Sequence, residues 1–277
     1  IDSLHKVCKD IIVVDSYSTD KTEDIAKKNG VRFIQNKWIN HVFQFNWALQ
    51  NCEVNTDWIL RLDADEYLTE GLQVEISKNL NNLNISVTGI MLPLQRSFMN
   101  RHLKKGYDEI KLLRIFRKGK GQSENRWMDE HILLFEGKTI EFQNGFADHN
   151  LNTLHWWTTK HNGYSIREAI DLLDIEYGLI STNNGNSNIS DQAAKKRKLK
   201  GMYASKPLFI RAFVYFFYRY IFRFGFMEGK EGFLWHFLQG WWYRTLVDAK
   251  IYEIKKASEN DPKKIKEYIF KKYQIQL

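Results

Sequence analysis

Residues 58–66 run a short apolar segment, Trp58-Ile59-Leu60-Arg61-Leu62, straight into Asp63, Asp65 and Glu66. A run of that length with β-forming residues fills a buried strand, and acids at its carboxyl end stand where open α/β sheets bind ligands. In an extended segment Asp63 and Asp65 point to one side, so two negative charges meet across Ala64. Such charges raise each other's pKa unless a cation lies between them. A hard divalent ion with oxygen ligands would relieve the repulsion, and an anionic ligand such as a nucleoside diphosphate would complete its shell. The simpler alternative is a solvated acidic turn.

The stretches before this one alternate between strand and helix signals. Ile1, Leu4 and Val7 fall at helical spacing and read as the end of a helix over residues 1–9. Asp10–Asp15 is a continuous apolar run of the parallel-strand kind, and Asp15-Ser16-Tyr17-Ser18 opens a polar turn into a helix that closes at Asn29-Gly30. Val31–Ile34 is a second strand, and a second helix is centred on Phe45–Leu49. This is a βαβ pattern, which predicts an α/β sheet flanked by helices.

Composition narrows the partners. With 41 Lys+Arg against 33 Asp+Glu, the chain carries a formal charge of +8, which favours phosphate esters, an anionic membrane face or nucleic acid. Cys8 and Cys52 lack metal-ligand spacing and fit reduced, structural thiols in a cytoplasmic setting. Neither a signal peptide nor a sufficiently long transmembrane run is visible, and the chain opens at Ile1 without a methionine. A P-loop, a paired Cys-x-x-Cys zinc site, a nucleophile elbow and internal repeats are also missing.

Three segments in order, Ile12–Thr22, Gln44–Leu49 and Asp57–Glu66, resemble the nucleotide-sugar half of family 2 glycosyltransferases, which have the GT-A fold. The resemblance implies a Rossmann-like mixed sheet over residues 1–150. It implies that Asp15, with Ser16 and Ser18 in the same turn, meets the uracil or ribose of a UDP-sugar. Gln44 and Asn46 would lie near the nucleotide. Asp63 would hold the ribose, and Asp65 would hold a divalent ion, Mn2+ or Mg2+, on the diphosphate. Members of this family normally begin with an apolar strand ending in a Pro-x-Tyr-Asn-Glu-like turn. Nothing ahead of Ile1 supplies it, so a leading segment is expected upstream. Omitting a central strand would leave its neighbours with unpaired backbone groups.

Beyond Glu66, Leu68–Leu80 reads as a helix and Gly89–Leu94 as a strand. Basic residues from Arg96 to Lys120, Arg114 and Arg117 among them, read mostly as a solvated face. Lys111–Arg117 resembles the strand before the family's acceptor loop. Asp129 and Glu130 follow where an inverting transferase needs a general base, and Glu130 matches the Glu-His of the lipopolysaccharide inner-core subgroup. A hairpin bearing charged residues is the alternative. His149 matches a histidine that in related enzymes completes the metal site or touches the diphosphate. His155–Tyr164 resembles a Lys-His-Asn-x-Tyr segment, which makes Lys160 and Tyr164 possible diphosphate or acceptor contacts; aromatic helix packing explains the same residues.

Residues 151–277 read as a helical, aromatic-rich extension with a polar linker near 181–200. Its basic run, Lys195–Lys200, precedes Pro207–Phe226, where Arg211, Arg219 and Arg223 fall in one sector of a helical projection. A helix of this kind lies in an anionic membrane interface with its arginines snorkelling to phosphates, or else is buried in the protein. Phe224–Phe233 resembles the C-terminal region of the inner-core glucosyltransferase-like subgroup. The resemblance therefore implies a bacterial, metal-dependent inverting glycosyltransferase, expected to be peripheral at the inner face of the cytoplasmic membrane. It would use a nucleotide sugar and a glycan or lipid-linked acceptor in surface polysaccharide or lipopolysaccharide synthesis, without a nucleic-acid partner. A sugar nucleotidyltransferase and an inactive glycan- or lipid-binding module are the alternatives.

Overall fold

A computed structural model describes residues 1–124, 131–179 and 191–277, the last of these by backbone alone over 191–197. The described residues form two compact units, one made of 1–97 and 109–149, the other of 98–108 and the residues from 150 onward.

The first unit is a mixed α/β assembly. After the short helix α1 (Asp2–His5) come β1 (Ile12–Asp15), α2 (Thr22–Lys28), β2 (Arg32–Gln35), α3 (His41–Asn51), β3 (Trp58–Leu60), β4 (Glu66–Leu68) and α4 (Glu70–Asn79). The long β5 (Val87–Phe98), the two-residue β6 (Arg101–His102), β7 (Lys111–Arg117), β8 (Gly121–Ser123), β9 (Ile132–Leu134), β10 (Lys138–Glu141) and β11 (Phe146–His149) follow. Strands β1 and β2 pair in parallel with each other, and the larger sheet runs β3-β7-β5-β11-β4. Within it β11 is parallel to β5 and antiparallel to β4. Leu68, Leu72, Ile90, Leu92, Ile115 and Phe146 form the core beneath this sheet.

Local chemistry sets the boundaries. The Asn40 side chain accepts the Phe43 N–H at 2.7 Å and so starts α3, and Thr69 caps α4 through the Leu72 N–H. That cap explains why Leu68, expected at the head of a helix, is instead the last residue of β4. The helix expected over residues 1–9 is confined to Asp2–His5.

The second unit is helical: α5 (Leu154–Tyr177), α6 (Asp191–Ala204), α7 (Ile210–Phe217), α8 (Gly229–Trp235), α9 (Tyr243–Ser258) and α10 (Pro262–Tyr273). Leu173, Val247, Ile254, Ile265 and Ile269 fill its centre. Of the polar linker predicted near 181–200, residues 191–200 are instead helical, because their good helix formers, with no Gly or Pro among them, belong to α6; residues 181–190 lie outside the described set.

The region 207–226 differs from the expected arginine-striped interfacial helix. Helix α7 is followed by one π-helical turn, Tyr218–Phe222, and Arg211 and Arg219 face inward, whereas Arg223 stays partly exposed and pairs with Asp108. Arg211 donates to Asp248 Oδ1 at 2.5 and 2.8 Å and to the Tyr203 and Ala204 carbonyls, while Arg219 donates to the Gly106 carbonyl at 2.9 Å. Burying a guanidinium is tolerated only with such partners, and Asp248, itself fully buried, supplies the countercharge.

Candidate functional site

At the end of β1 the buried Asp15 carboxylate accepts the Ser18 amide at 2.8 Å and the Ser18 hydroxyl at 2.5 Å, folding residues 15–18 into a tight turn. Burial raises the Asp15 pKa, but the bonds from Ser18, with those from Gln35 and the Ser16 backbone, together outweigh it and hold the carboxyl below its usual range. The turn forces Tyr17 to φ 61°, a left-handed backbone uncommon for a bulky residue, and leaves its ring exposed. Gln44, buried on α3, donates to the Val14 carbonyl and the Ser16 hydroxyl and accepts from Asn36. Asp15, Ser16, Ser18 and Gln44 thus form one hydrogen-bonded constellation at the strand end.

Two residues along α3, Asn46 is committed elsewhere. Its amide donates to the Ser123 carbonyl at 2.9 Å and accepts the Ser123 N–H at 2.8 Å, clamping β8. Strand β8 pairs with β9, and the Glu124 N–H donates to the His131 carbonyl. The stretch joining these two strands carries Asp129 and Glu130, the predicted general-base candidates, which lie outside the described residues.

Asp63 and Asp65 are not in the extended segment inferred from the sequence. The Glu66 N–H donates to the Asp63 carbonyl at 3.0 Å, and the Glu66 side chain accepts the Asp63 N–H at 2.8 Å, closing a turn over residues 63–66. The turn wins because Glu66 satisfies the backbone at both of its ends. Asp65 is left exposed at its corner. His149, the last residue of β11, donates its N–H to the Asp65 carbonyl at 3.1 Å, so the two predicted metal ligands occupy adjoining backbone positions.

Two arginines, Arg61 and Arg114, flank this turn. The Arg61 N–H bonds the Arg114 carbonyl across β3 and β7, which stands both side chains on one face. Arg114 reaches Glu66 Oε1 at 2.5 Å and Asp63 Oδ2 at 3.5 Å; Arg61 lies 3.7 Å from Asp63 Oδ1. Burial raises the Asp63 pKa, but Arg114, then Arg61 and His41, more than offset it and hold the carboxyl below its normal range. Glu66 goes the other way, pushed up to about 7 by burial and by the neighbouring Asp63 against the pull of Arg114. Two carboxylates three residues apart are thereby driven to opposite protonation tendencies. The solvated basic face expected over Arg96–Lys120 fails at Arg114 and at Arg117, whose guanidinium lies 4.3 Å from the Trp58 ring centroid. Period-two alternation carries the signal for Arg114, whose same-face neighbours on β7 are Leu112 and Phe116.

Lys160 and Tyr164 belong to the second unit. On α5 the Lys160 ammonium rests over the Trp156 and Tyr164 rings, at 4.6 and 5.6 Å, an arrangement one helical turn either way produces. Among the described residues no three His, Cys, Asp or Glu side chains are arranged to hold a metal ion by themselves.

Residues 1–135 match the family model described as Glycosyl transferase family 2. An uncharacterized glycosyltransferase of Rickettsia bellii is 30% identical over 185 residues, 62% of this chain and 62% of that protein. Another, from Rickettsia conorii, is 45% identical over 76 residues, 27% of this chain and 26% of that protein. A protein of Rhizobium meliloti named lipopolysaccharide core biosynthesis glycosyltransferase LpsC is 28% identical over 128 residues, 44% of this chain and 46% of that protein. The similarity therefore spans less than two thirds of each of these relatives.

Proposed function

We propose, from the match of residues 1–135 to the Glycosyl transferase family 2 model, that the protein moves a sugar, with inversion, from a UDP-sugar to a glycan or lipid-linked acceptor. The acceptor would stand at the inner face of the cytoplasmic membrane, in lipopolysaccharide or related surface-polysaccharide synthesis. The observation that supports this reading is the bond between the His149 N–H and the Asp65 carbonyl, which sets the two residues at adjoining backbone positions.

The donor set suits a hard ion that arrives with its substrate. One carboxylate and one imidazole would leave most of an octahedral shell to diphosphate oxygens and water. When bound there, Mn2+ or Mg2+ supplies charge neutralisation for the departing diphosphate. Asp15, kept ionised by Ser18, accepts hydrogen bonds from the base or ribose, with Ser16 and Ser18 beside it. Gln44 fixes the height of that turn by holding Val14 and Ser16. Asp63, held between two guanidiniums, takes the ribose. Glu130, with Asp129 next to it, is positioned by sequence to remove the proton from the acceptor hydroxyl.

Calorimetry with UDP and Mn2+ tests the assignment. Asp65→Ala should abolish manganese-dependent UDP binding while leaving thermal unfolding unchanged, since the side chain lies outside the core. Binding that survives the substitution would overturn the metal site.

A further inference from the structure

With Arg211 and Arg219 turned inward, the outer side of α7 and the residues after it is apolar. Ile210, Phe213, Val214, Phe217 and Phe222 are 62, 48, 57, 46 and 64% exposed, and Phe224, Phe226 and Met227 continue the same exposure. Single exposed apolar side chains are ordinary, but an unbroken series of this kind marks an interaction surface.

Charge identifies what it meets. From residue 192 to residue 227 the chain contains no aspartate or glutamate, whereas the exposed Lys198 and Lys206 precede α7 and the exposed Lys230 follows the face. A protein partner is normally met by aromatics interspersed with hydrogen-bonding groups. This face offers mostly rings and aliphatic chains: Tyr218 is exposed on it, its one internal arginine, Arg223, is already paired with Asp108, and lysines stand at its borders. Helix α7 has eight residues, and none of the described helices is long and apolar enough to cross a membrane. The geometry is that of a helix lying in the plane of an interface.

We propose that the outer face of α7 and the residues through Met227 inserts into the headgroup region of an anionic lipid bilayer. The buried pairs Arg211–Asp248 and Arg219–Gly106 carbonyl act as the hard backing that keeps the rings outward. Lysines at the margin supply attraction to lipid phosphates, and the rings supply the salt-resistant part of the attachment.

The test uses the full chain with vesicles of phosphatidylethanolamine and phosphatidylglycerol, with phosphatidylcholine vesicles as the neutral control. The wild type should sediment with the anionic vesicles, and raising the salt should lower the bound fraction without abolishing it. The triple variant Phe213→Ser, Val214→Ser, Phe217→Ser should lose at least about tenfold in partitioning with an unaltered circular dichroism spectrum. Ile210→Ser and Phe222→Ser, separately, guard against misfolding of the triple variant; each should weaken partitioning severalfold. Asp65→Ala should bind vesicles like the wild type, so that loss of the metal site and loss of the lipid surface are read apart. A wild type that ignores anionic vesicles, or serine variants that partition as it does, would overturn the proposal. So would a wild-type dimer that the serine variants dissociate while vesicles have no effect, since the face would then join two copies.

Discussion

The Arg114 guanidinium bonds Glu66 Oε1 at 2.5 Å with only 8% and 6% of the two side chains exposed, so the turn bearing Asp63 and Asp65 is pinned to β7 by an ion pair withdrawn from water. Removing one partner of such a pair strands the other charge. Arg114→Ala should cost about 3–5 kcal/mol of stability. The loss should be smaller at pH 6 than at pH 8, because Glu66 takes up a proton near neutrality. Urea unfolding at the two pH values measures both effects.

Glu66 and His236 bend the pH–stability curve in opposite senses. A carboxyl raised from 4.5 to about 7 contributes stability that is complete below pH 4.5 and lost as the pH rises through 7. His236, fully buried, is lowered from 6.5 to about 4 by burial and by Arg219. Its contribution is complete above pH 6.5 and lost as the pH falls through 4, an effect of roughly 3 kcal/mol. Glu66→Gln should flatten the alkaline slope between pH 5 and 8. His236→Asn should flatten the acid slope between pH 6.5 and 4 whatever it does to the maximum.

Asn46→Ala should lower stability by about 1–3 kcal/mol, the cost of leaving both backbone groups of the buried Ser123 unpaired. UDP affinity should stay close to that of the wild type. A variant of normal stability that no longer binds UDP would return Asn46 to direct nucleotide contact.

Glu130→Gln keeps the shape of the side chain and removes the proton acceptor. Transfer should fall by roughly 100- to 10,000-fold with donor affinity retained. If Asp129→Asn gives that result and Glu130→Gln does not, the proton goes to Asp129.

The alternation of strands and helices, the turn after β1 and the acidic strand end were legible because each is written in consecutive residues, as in Ile12–Asp15 and Trp58–Glu66. What escaped depends on pairing between distant segments. The Arg61–Arg114 neighbourhood exists only through the β3–β7 register, and the inward turn of Arg211 requires Asp248, 37 residues away. A helical projection placed Arg211 and Arg219 on a common side correctly but carried no information on which side faces the core. The turn at Asp63–Glu66 was missed for a different reason: it is closed by the Glu66 side chain, which the period-two argument for Asp63 and Asp65 ignored.

Helix α3 grips β1 through Gln44 and β8 through Asn46, two residues apart. In kinetic language, on the function proposed above, the donor-side loop and the root of the acceptor-side stretch would share one rigid lever. A cavity-forming change in the packing of α3, such as at the buried Val42, would tilt both ends together. Donor KM and kcat would then drift in concert, through a side chain that touches neither substrate.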